Sequence, residues 1–127
     1  FLKSLPYTVH TNRELGLMLA GEKKFAQFHD ANGLFPEAIV RYLRLFERHV
    51  DHGGLVRRDD VYHSAQSPKV EMHRIMFALP GEEWRFEAFL DLLKEPEWGS
   101  AQERREGELY GYEDWMNDHW IMLKYGG

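Results

Sequence analysis

The sequence predicts an α+β fold, in which a small, mostly antiparallel sheet of about three strands packs against three to five helices in a single domain. The apolar residues between positions 37 and 52 recur with the 3.6-residue period of a helix. The stretch Val70–Leu79 is apolar on both of its alternating faces, which is typical of a strand covered on both sides. The predicted order of elements, α-β-α-β-β-α-α, also lacks the regular alternation of a doubly wound sheet.

Length and composition favour one globular domain. The chain has 127 residues, of which 43% are hydrophobic and 29% are charged, so it can bury a core without metals or disulfides. It has no cysteine, which excludes disulfides, thiolate metal sites and cysteine nucleophiles. No apolar run reaches the roughly 18 residues of a membrane helix. We therefore expect a cytoplasmic protein with no membrane partner and no cofactor.

The net charge of −5 is concentrated near the C-terminus. Residues 94–127 hold four basic and eight acidic side chains, whereas residues 1–93 hold twelve basic and thirteen acidic ones. A nucleic-acid-binding surface needs cationic charge to displace counterions. The distribution therefore argues against nucleic acid as the main partner, although it leaves a local basic face open.

The first predicted elements are a short helix and a strand. The stretch Thr11–Glu14 fits a capping box, in which the Thr hydroxyl and the Glu carboxylate each bond a free backbone N–H. The helix should end at Gly21, which suits a left-handed stop. Its predicted apolar face comprises Leu15, Met18 and Leu19. The aromatic stretch Phe25–His29 is predicted as a strand, followed by a turn at Asn32-Gly33.

The next two elements are a helix and an edge strand. In the predicted helix Glu37–His52, one apolar stripe recurs at i, i+4, i+7 and i+11. The members of this stripe are Ile39, Leu43, Phe46 and Val50. Gly53-Gly54 ends the helix, and Leu55–His63 then reads as a strand. Because Arg57–Asp60 is a run of four charges, this strand is expected at an edge of the sheet.

A helix is predicted directly after the turn at Pro80-Gly81. Its period of 3.6 residues is carried by apolar side chains between Trp84 and Leu93. The same residues also alternate as they would in the second strand of a hairpin, which is the alternative. Glu82 and Glu83 favour the helix, because acidic side chains stabilise the positive end of the helix dipole.

Residues 97–123 form an acidic, Trp-rich segment that we predict to be helical. Met116, Trp120 and Leu123 should form its apolar stripe. Large amphipathic rings beside carboxylates are typical of protein-binding surfaces. The predicted interaction residues are Trp98, Tyr110, Tyr112, Trp115 and Asp118. The alternatives are that these rings fold back onto the sheet, which is favoured for Trp120, or that they mediate self-association.

One histidine cluster has the spacing of metal ligands. His49 and His52 are three residues apart and therefore lie on one side of a helix. Asp59 and His63 could approach them if the next strand folds back. Two histidines and a carboxylate suit zinc or another transition metal, but the pattern matches no specific metal motif. The alternative is a solvated helix end with histidines near its negative pole.

A basic stripe is predicted on the outer face of the same helix. Arg41, Arg44 and Arg48 are spaced to lie together, and such a stripe could bind phosphate or an acidic partner. The alternative is a solvated face whose arginines pair with Glu37 and Glu47.

The sequence contains no recognised catalytic motif, such as a nucleophile elbow, a phosphate-binding loop or a dinucleotide fingerprint. The leading hypothesis is therefore a non-catalytic intracellular protein-interaction domain, such as a regulator, inhibitor or immunity-type protein for a basic partner. One alternative is a small metal-binding protein or enzyme using His49, His52 and nearby carboxylates. Another is a nucleic-acid-associated factor using the arginine stripe.

Overall fold

The computed structural model describes residues 5–126, which form five helices and a three-stranded antiparallel sheet. This architecture confirms the predicted α+β fold. The elements in chain order are α1 Glu14–Leu19, β1 Phe25–Ala31, α2 Glu37–Asp51, β2 Val56–His63, β3 Glu71–Ala78, α3 Trp84–Leu92, α4 Ser100–Tyr110 and α5 Asp114–Tyr125. None of the helices in this part of the chain is long and apolar enough to cross a membrane.

Strand β3 lies at the centre of the sheet, between β1 and β2. Its residues Ile75 and Phe77 face α1 and α2, where they pack with Phe46 in one apolar cluster. Met76 and Ala78 face the opposite side and belong to a second cluster, to which α3 and α4 contribute. The two-sided cover predicted from the alternation of Val70–Leu79 is therefore confirmed.

Strand β2 is an edge strand, as its charge run predicts. Arg57 donates two hydrogen bonds to the Asp59 carboxylate, at 2.6 and 2.8 Å, and it also pairs with Glu47 on α2. Arg58 reaches Glu87 on α3 at 3.4 Å. Charged side chains at an edge discourage pairing with another strand. The run of four charges that predicts β2 at the edge therefore also disfavours pairing of this edge with a strand of another molecule.

The segment after Pro80-Gly81 is helical, and the hairpin alternative is wrong. Gly81 has a φ of +90°, a conformation that glycine adopts without steric cost. Its backbone N–H donates to the carboxylate of Glu83 at 2.9 Å. The helix that follows buries Phe86, Phe89 and Leu92 in the second cluster.

The predicted capping box before α1 is wrong. The helix begins at Glu14, with Arg13 at the cap position and no hydrogen bond from a capping side chain. The Leu15 N–H in the first turn donates instead to the Tyr42 hydroxyl on α2, at 2.9 Å. Asn12 has a φ of +67°, which turns the chain between Thr11 and the helix. The Glu14 carboxylate accepts a hydrogen bond from the Tyr42 hydroxyl at 3.2 Å.

The two ends of the predicted α1 stripe differ in their burial. Met18 is buried against the first cluster, with Leu15 packed beside it, whereas Leu19 is 52% exposed. The predicted stop is confirmed, since Gly21 follows the helix with a φ of +78°.

Helix α5 buries only part of the stripe that its sequence predicts. Met116 and Trp120 are half-buried and Leu123 is exposed, whereas the fully buried residue of the helix is Asn117. Asn117 faces Gly107 on α4, where a Cβ would lie 3.0 Å from the Asn117 Cγ. The missing side chain at Gly107 lets the two helices approach closely, so a short polar side chain takes the inward position.

Candidate functional site

A pocket of about 440 Å³ lies between the segment before α1, strand β1, and helices α4 and α5. Its volume falls within the range of small-molecule sites. Aromatic walls come from Tyr7, Tyr110, Tyr112 and Trp120, and the polar lining includes His10, Glu14, Lys23, Gln27, Glu103, Glu106 and Asn117. The pocket thus combines apolar rings with several ionisable groups, which is the composition expected of a binding or reactive site.

Lys23 is the least exposed of the ionisable side chains in the pocket wall, at 2%. Its Nζ lies 2.9 Å from His10 Nδ1 and 3.4 Å from the Tyr110 carbonyl oxygen. It also lies 4.5 Å from the centroid of the Tyr110 ring. Both hydrogen-bond partners are uncharged at neutral pH. Burial therefore lowers the pKa of Lys23 to about 7, although the nearby Glu14 charge acts in the opposite direction.

His10 is fixed beside Lys23 by Tyr112. The two rings stack with their centroids 3.7 Å apart, and the His10 backbone N–H donates to the Tyr112 hydroxyl at 2.8 Å. Burial and the neighbouring Lys23 lower the pKa of His10 to about 3. The imidazole is thus neutral at physiological pH. Its Nδ1 can accept a hydrogen bond from Lys23 when the ring carries its proton on Nε2.

The α4 wall of the pocket carries two groups that favour their neutral forms. Burial raises the pKa of the Glu106 carboxyl, and the Glu103 charge raises it further. Burial also raises the pKa of the Tyr110 phenol, whose oxygen accepts a hydrogen bond from Gln27 Nε2 at 3.4 Å. Glu106 can therefore hold a proton at a pH where an exposed glutamate would have lost it.

Glu103 joins the segment before α4 to the C-terminal half of α5. Its carboxylate accepts hydrogen bonds from the indole N–H groups of Trp98 and Trp120 and from Lys124 Nζ. The distances from Trp120 Nε1 and Lys124 Nζ are 3.0 and 2.8 Å. Trp98 is consequently fixed at the surface rather than free to swing.

The outward face of α5 carries large apolar side chains. Trp115 is 47% exposed and Met122 is 58% exposed, and Leu123 and Tyr125 are also exposed. The Trp115 indole donates to Glu113 at 2.6 Å, and its ring meets the edge of Tyr7 with centroids 5.6 Å apart. We call this set, Trp115, Met122, Leu123 and Tyr125, the α5 apolar face.

The five predicted interaction residues divide into two groups. Tyr110 and Tyr112 line the pocket, where they contact Lys23 and His10. Trp98, Trp115 and Asp118 are exposed, and Asp118 pairs with Arg104 on α4 at 2.7 Å. The sequence predicts this aromatic segment as one surface. In the structure, part of the segment lines the pocket and part of it lies on the outer surface.

The residues of the metal hypothesis do not come together as a ligand set. His52 Nδ1 lies 2.6 Å from the Arg48 carbonyl oxygen, and His63 Nδ1 lies 3.0 Å from that of Pro68. Asp59 binds Arg57 and His73, and His49 remains on α2. Within residues 5–126, no group of three or more His, Asp or Glu side chains is arranged to hold a metal ion.

The arginine stripe lies on the exposed face of α2. Arg41 pairs with Glu37 at 2.8 Å, as the solvated-face alternative predicts. Glu47 pairs instead with Arg57 on β2, so it does not neutralise Arg44 or Arg48 as expected. Anion binding by this stripe stays a prediction.

Lys23 and His10 are the site residues that the sequence reasoning missed. A signal for Lys23 exists, because it stands two residues before Phe25 and four before Gln27. Continuing the alternation of β1 backwards puts Lys23 on the same side as these two residues.

Comparisons of this chain with protein-family models, with curated proteins and with solved structures found no match.

Proposed function

We propose that this chain is a non-catalytic protein-interaction domain that binds a basic protein through the α5 apolar face. The observation that carries the proposal is the exposure of four large apolar side chains on one helix. Trp115 and Met122 are seven residues apart and so lie on the same side of α5. Scattered exposed apolar residues are ordinary, but a group of them on one helix is typical of an interface.

The charges around this face favour a basic partner. Glu113 and Asp114 are exposed at the start of α5, and the exposed Asp118 pairs with Arg104. Carboxylates at the rim of an apolar surface accelerate association with a basic partner and disfavour an acidic one. A two-fold contact with a second copy would set the same acidic patch against itself. A basic partner is therefore favoured over self-association.

Trp115 in the α5 apolar face and Trp98 before α4 are both held in place by hydrogen bonds. Trp115 is fixed by Glu113 and Tyr7, and Trp98 is fixed by Glu103. A ring that is ordered before binding loses less conformational entropy in the complex. Trp115 and Trp98 are accordingly the side chains that we expect to act as anchors.

The test compares two tryptophans of similar exposure. Trp115 lies on the α5 apolar face, whereas Trp84, which is 50% exposed, lies on α3. A partner captured from cells with the wild-type chain is purified, and its affinity is measured by calorimetry for Trp115→Ala and Trp84→Ala. We expect Trp115→Ala to weaken binding by about 30-fold, the effect of a hot-spot residue, and Trp84→Ala to change it less than twofold.

Salt provides the second arm of the test. If carboxylates attract the partner, raising the ionic strength from about 50 to 300 mM should slow association, because exposed charges are screened. A partner that depends on Trp84 but not on Trp115, or one whose association is insensitive to salt, would contradict the proposal. Sedimentation of the chain alone measures its oligomeric state. A dimer that Trp115→Ala abolishes would contradict the proposal, because the partner at this face would then be a second copy of the chain.

A further inference from the structure

We propose that Lys23 is the reactive amine of a carbonyl-binding site, and that the adjoining pocket takes a small uncharged aldehyde or ketone. The product is an imine between Lys23 Nζ and the carbonyl carbon of the ligand. This site lies between the segment before α1, strand β1, and helices α4 and α5. It does not depend on the α5 apolar face for its chemistry.

The geometry places an amine in the wall of a cavity that can hold a small molecule. Lys23 lines the 440 Å³ pocket, and its Nζ is hydrogen-bonded to His10 Nδ1 and to the Tyr110 carbonyl. These two contacts hold the amine in place. They account for only two of the three hydrogen bonds that a charged ammonium can donate. Amines held in apolar surroundings are the lysines that form imines in proteins.

The charges lining the pocket favour an uncharged ligand over an anion. Glu14 and Glu103 both line the cavity with Lys23, so an anionic ligand would meet more negative than positive groups. The same carboxylates stabilise the positive charge of a protonated imine once it has formed. The aromatic walls supply apolar contact for the rest of the ligand, and an aromatic aldehyde suits them best.

The protonation states suit the reaction at neutral pH. The ionisable groups that line the pocket with Lys23 are Tyr7 and His10 before α1, Glu14 on α1, Glu103, Glu106 and Tyr110 on α4, and Tyr112 after α4. Because burial lowers the pKa of Lys23 to about 7, about half of this amine is unprotonated at pH 7. An ordinary lysine with a pKa near 10.4 is unprotonated in fewer than about one molecule in 10³.

Imine formation balances without an oxidant or a reductant. The Nζ lone pair attacks the carbonyl carbon, the C=O π electrons move to oxygen, and a proton passes from nitrogen to oxygen to give a carbinolamine. The nitrogen lone pair then forms the C=N bond as the C–O bond breaks, and the oxygen leaves as water after taking a second proton. The product is a protonated imine, which gives the neutral imine when its nitrogen loses a proton. Glu106, whose pKa is raised by burial, is the group in the pocket suited to supply the second proton to the oxygen.

The test traps the imine with a reductant added from outside. The full chain is incubated with benzaldehyde and sodium cyanoborohydride at pH 7, and benzylated lysines are identified by peptide mass spectrometry over time. We expect Lys23 to be labelled at least about tenfold faster than Lys24, Lys69 or Lys94, because its amine is unprotonated far more often. Labelling of Lys23 should level off above about pH 8, whereas labelling of Lys24 should keep rising.

Two controls accompany this test, and the first uses only the wild-type chain, so it does not depend on the folding of a variant. Benzyl alcohol, which has the same ring but no carbonyl, should slow labelling of Lys23 in the wild-type chain and leave Lys69 unchanged. Lys23→Met should remove the fast phase, and Lys24→Met should preserve it. Labelling of Lys23 at the rate of Lys24, or fast labelling that benzyl alcohol does not slow, would overturn the proposal.

Discussion

Helices α2 and α5 cover the molecule in opposite ways. Helix α2 turns Leu43 and Phe46 into the core and leaves Arg44 in solvent. Helix α5 turns Asn117 inward and leaves Trp115 and Met122 exposed. The first is an ordinary amphipathic helix, whereas the second leaves several of its large apolar side chains in solvent.

The difference lies in what holds each helix. Burial of apolar area stabilises α2, and this term is large and non-directional. Helix α5 is held by specific polar contacts to α4: Arg104–Asp118, Lys124–Glu103, and Asn117 beside Gly107. Burial of apolar area therefore supports α2, whereas α5 depends on polar contacts that leave apolar rings at the surface.

The largest expected effect comes from the core below α2. Phe46 is fully buried and stacks on Phe77 with ring centroids 4.4 Å apart. Phe46→Ala should lower the free energy of unfolding by about 3–5 kcal/mol, because it removes buried area and leaves a cavity. Urea unfolding followed by circular dichroism measures this loss. A loss below about 1 kcal/mol would mean that α2 is not the main support of the sheet.

The pH dependence of stability should report the buried amine on the opposite side. In the unfolded chain Lys23 regains an ordinary pKa, so between pH 7 and 10 the unfolded state binds more protons than the folded state. The free energy of unfolding should then rise with pH, by up to about 4 kcal/mol over this window. The rise is absent below pH 7, where both states hold the proton.

Urea midpoints at pH 7, 8 and 9.5 test this dependence. Lys23→Met should abolish most of the rise, whereas Lys24→Met should keep it. Above pH 10 the raised pKa of Tyr110 acts in reverse, because the folded state then holds a proton that the unfolded state has lost. A wild-type chain whose stability stays flat from pH 7 to 9.5 would show that Lys23 remains charged in the fold.

A smaller effect should come from the contact that seats α5. Gly107→Ala adds a methyl group against the buried Asn117 side chain and should destabilise the fold by about 1–3 kcal/mol. Asn117→Ala in the same chain should recover part of this loss, since it vacates the space. If Gly107→Ala is neutral on its own, the two helices are not held at close approach by this pair.

The smallest stability effect is expected on the α5 apolar face. Trp115→Ala should change the free energy of unfolding by less than about 1 kcal/mol, because the ring is half exposed and leaves no internal cavity. Trp84→Ala, the matched change on α3, should be similar. A loss near that of Phe46→Ala would assign Trp115 to the core and remove it from the proposed interface.

The sequence predicted those parts of the fold that depend on regular burial. The stripe of α2, the two apolar faces of β3 and the charge run of β2 each reflect a single physical requirement repeated at a fixed spacing. The structure agrees with all three. The predicted α5 stripe is only partly buried, because Asn117 takes the inward position against Gly107 on α4. The periodicity of one helix does not show which residue of another helix it will contact.

The pocket depends on contacts between distant parts of the chain, which the sequence pattern does not show. The alternation of β1 places Lys23 on the side of Phe25, but Glu22-Lys23-Lys24 is also a charged run, and such a run is usually solvated. Lys23 is buried only because Tyr110, far along the chain, covers it and His10 accepts its hydrogen bond. The sequence likewise predicts Tyr110 and Tyr112 as interaction residues, because the contacts that bring them to Lys23 and His10 join distant parts of the chain.

The position of β3 between β1 and β2 has a consequence for the order of folding. His63 pairs with Glu71 across a short loop, whereas Ala31 pairs with Met72 only after the whole of α2 and β2 has been bridged. Closing the longer loop costs more chain entropy, and distant pairings are slower to form. The β2–β3 hairpin should therefore form first and β1 should join last. The Lys23 pocket, which needs β1, should then be among the final parts of the molecule to assemble.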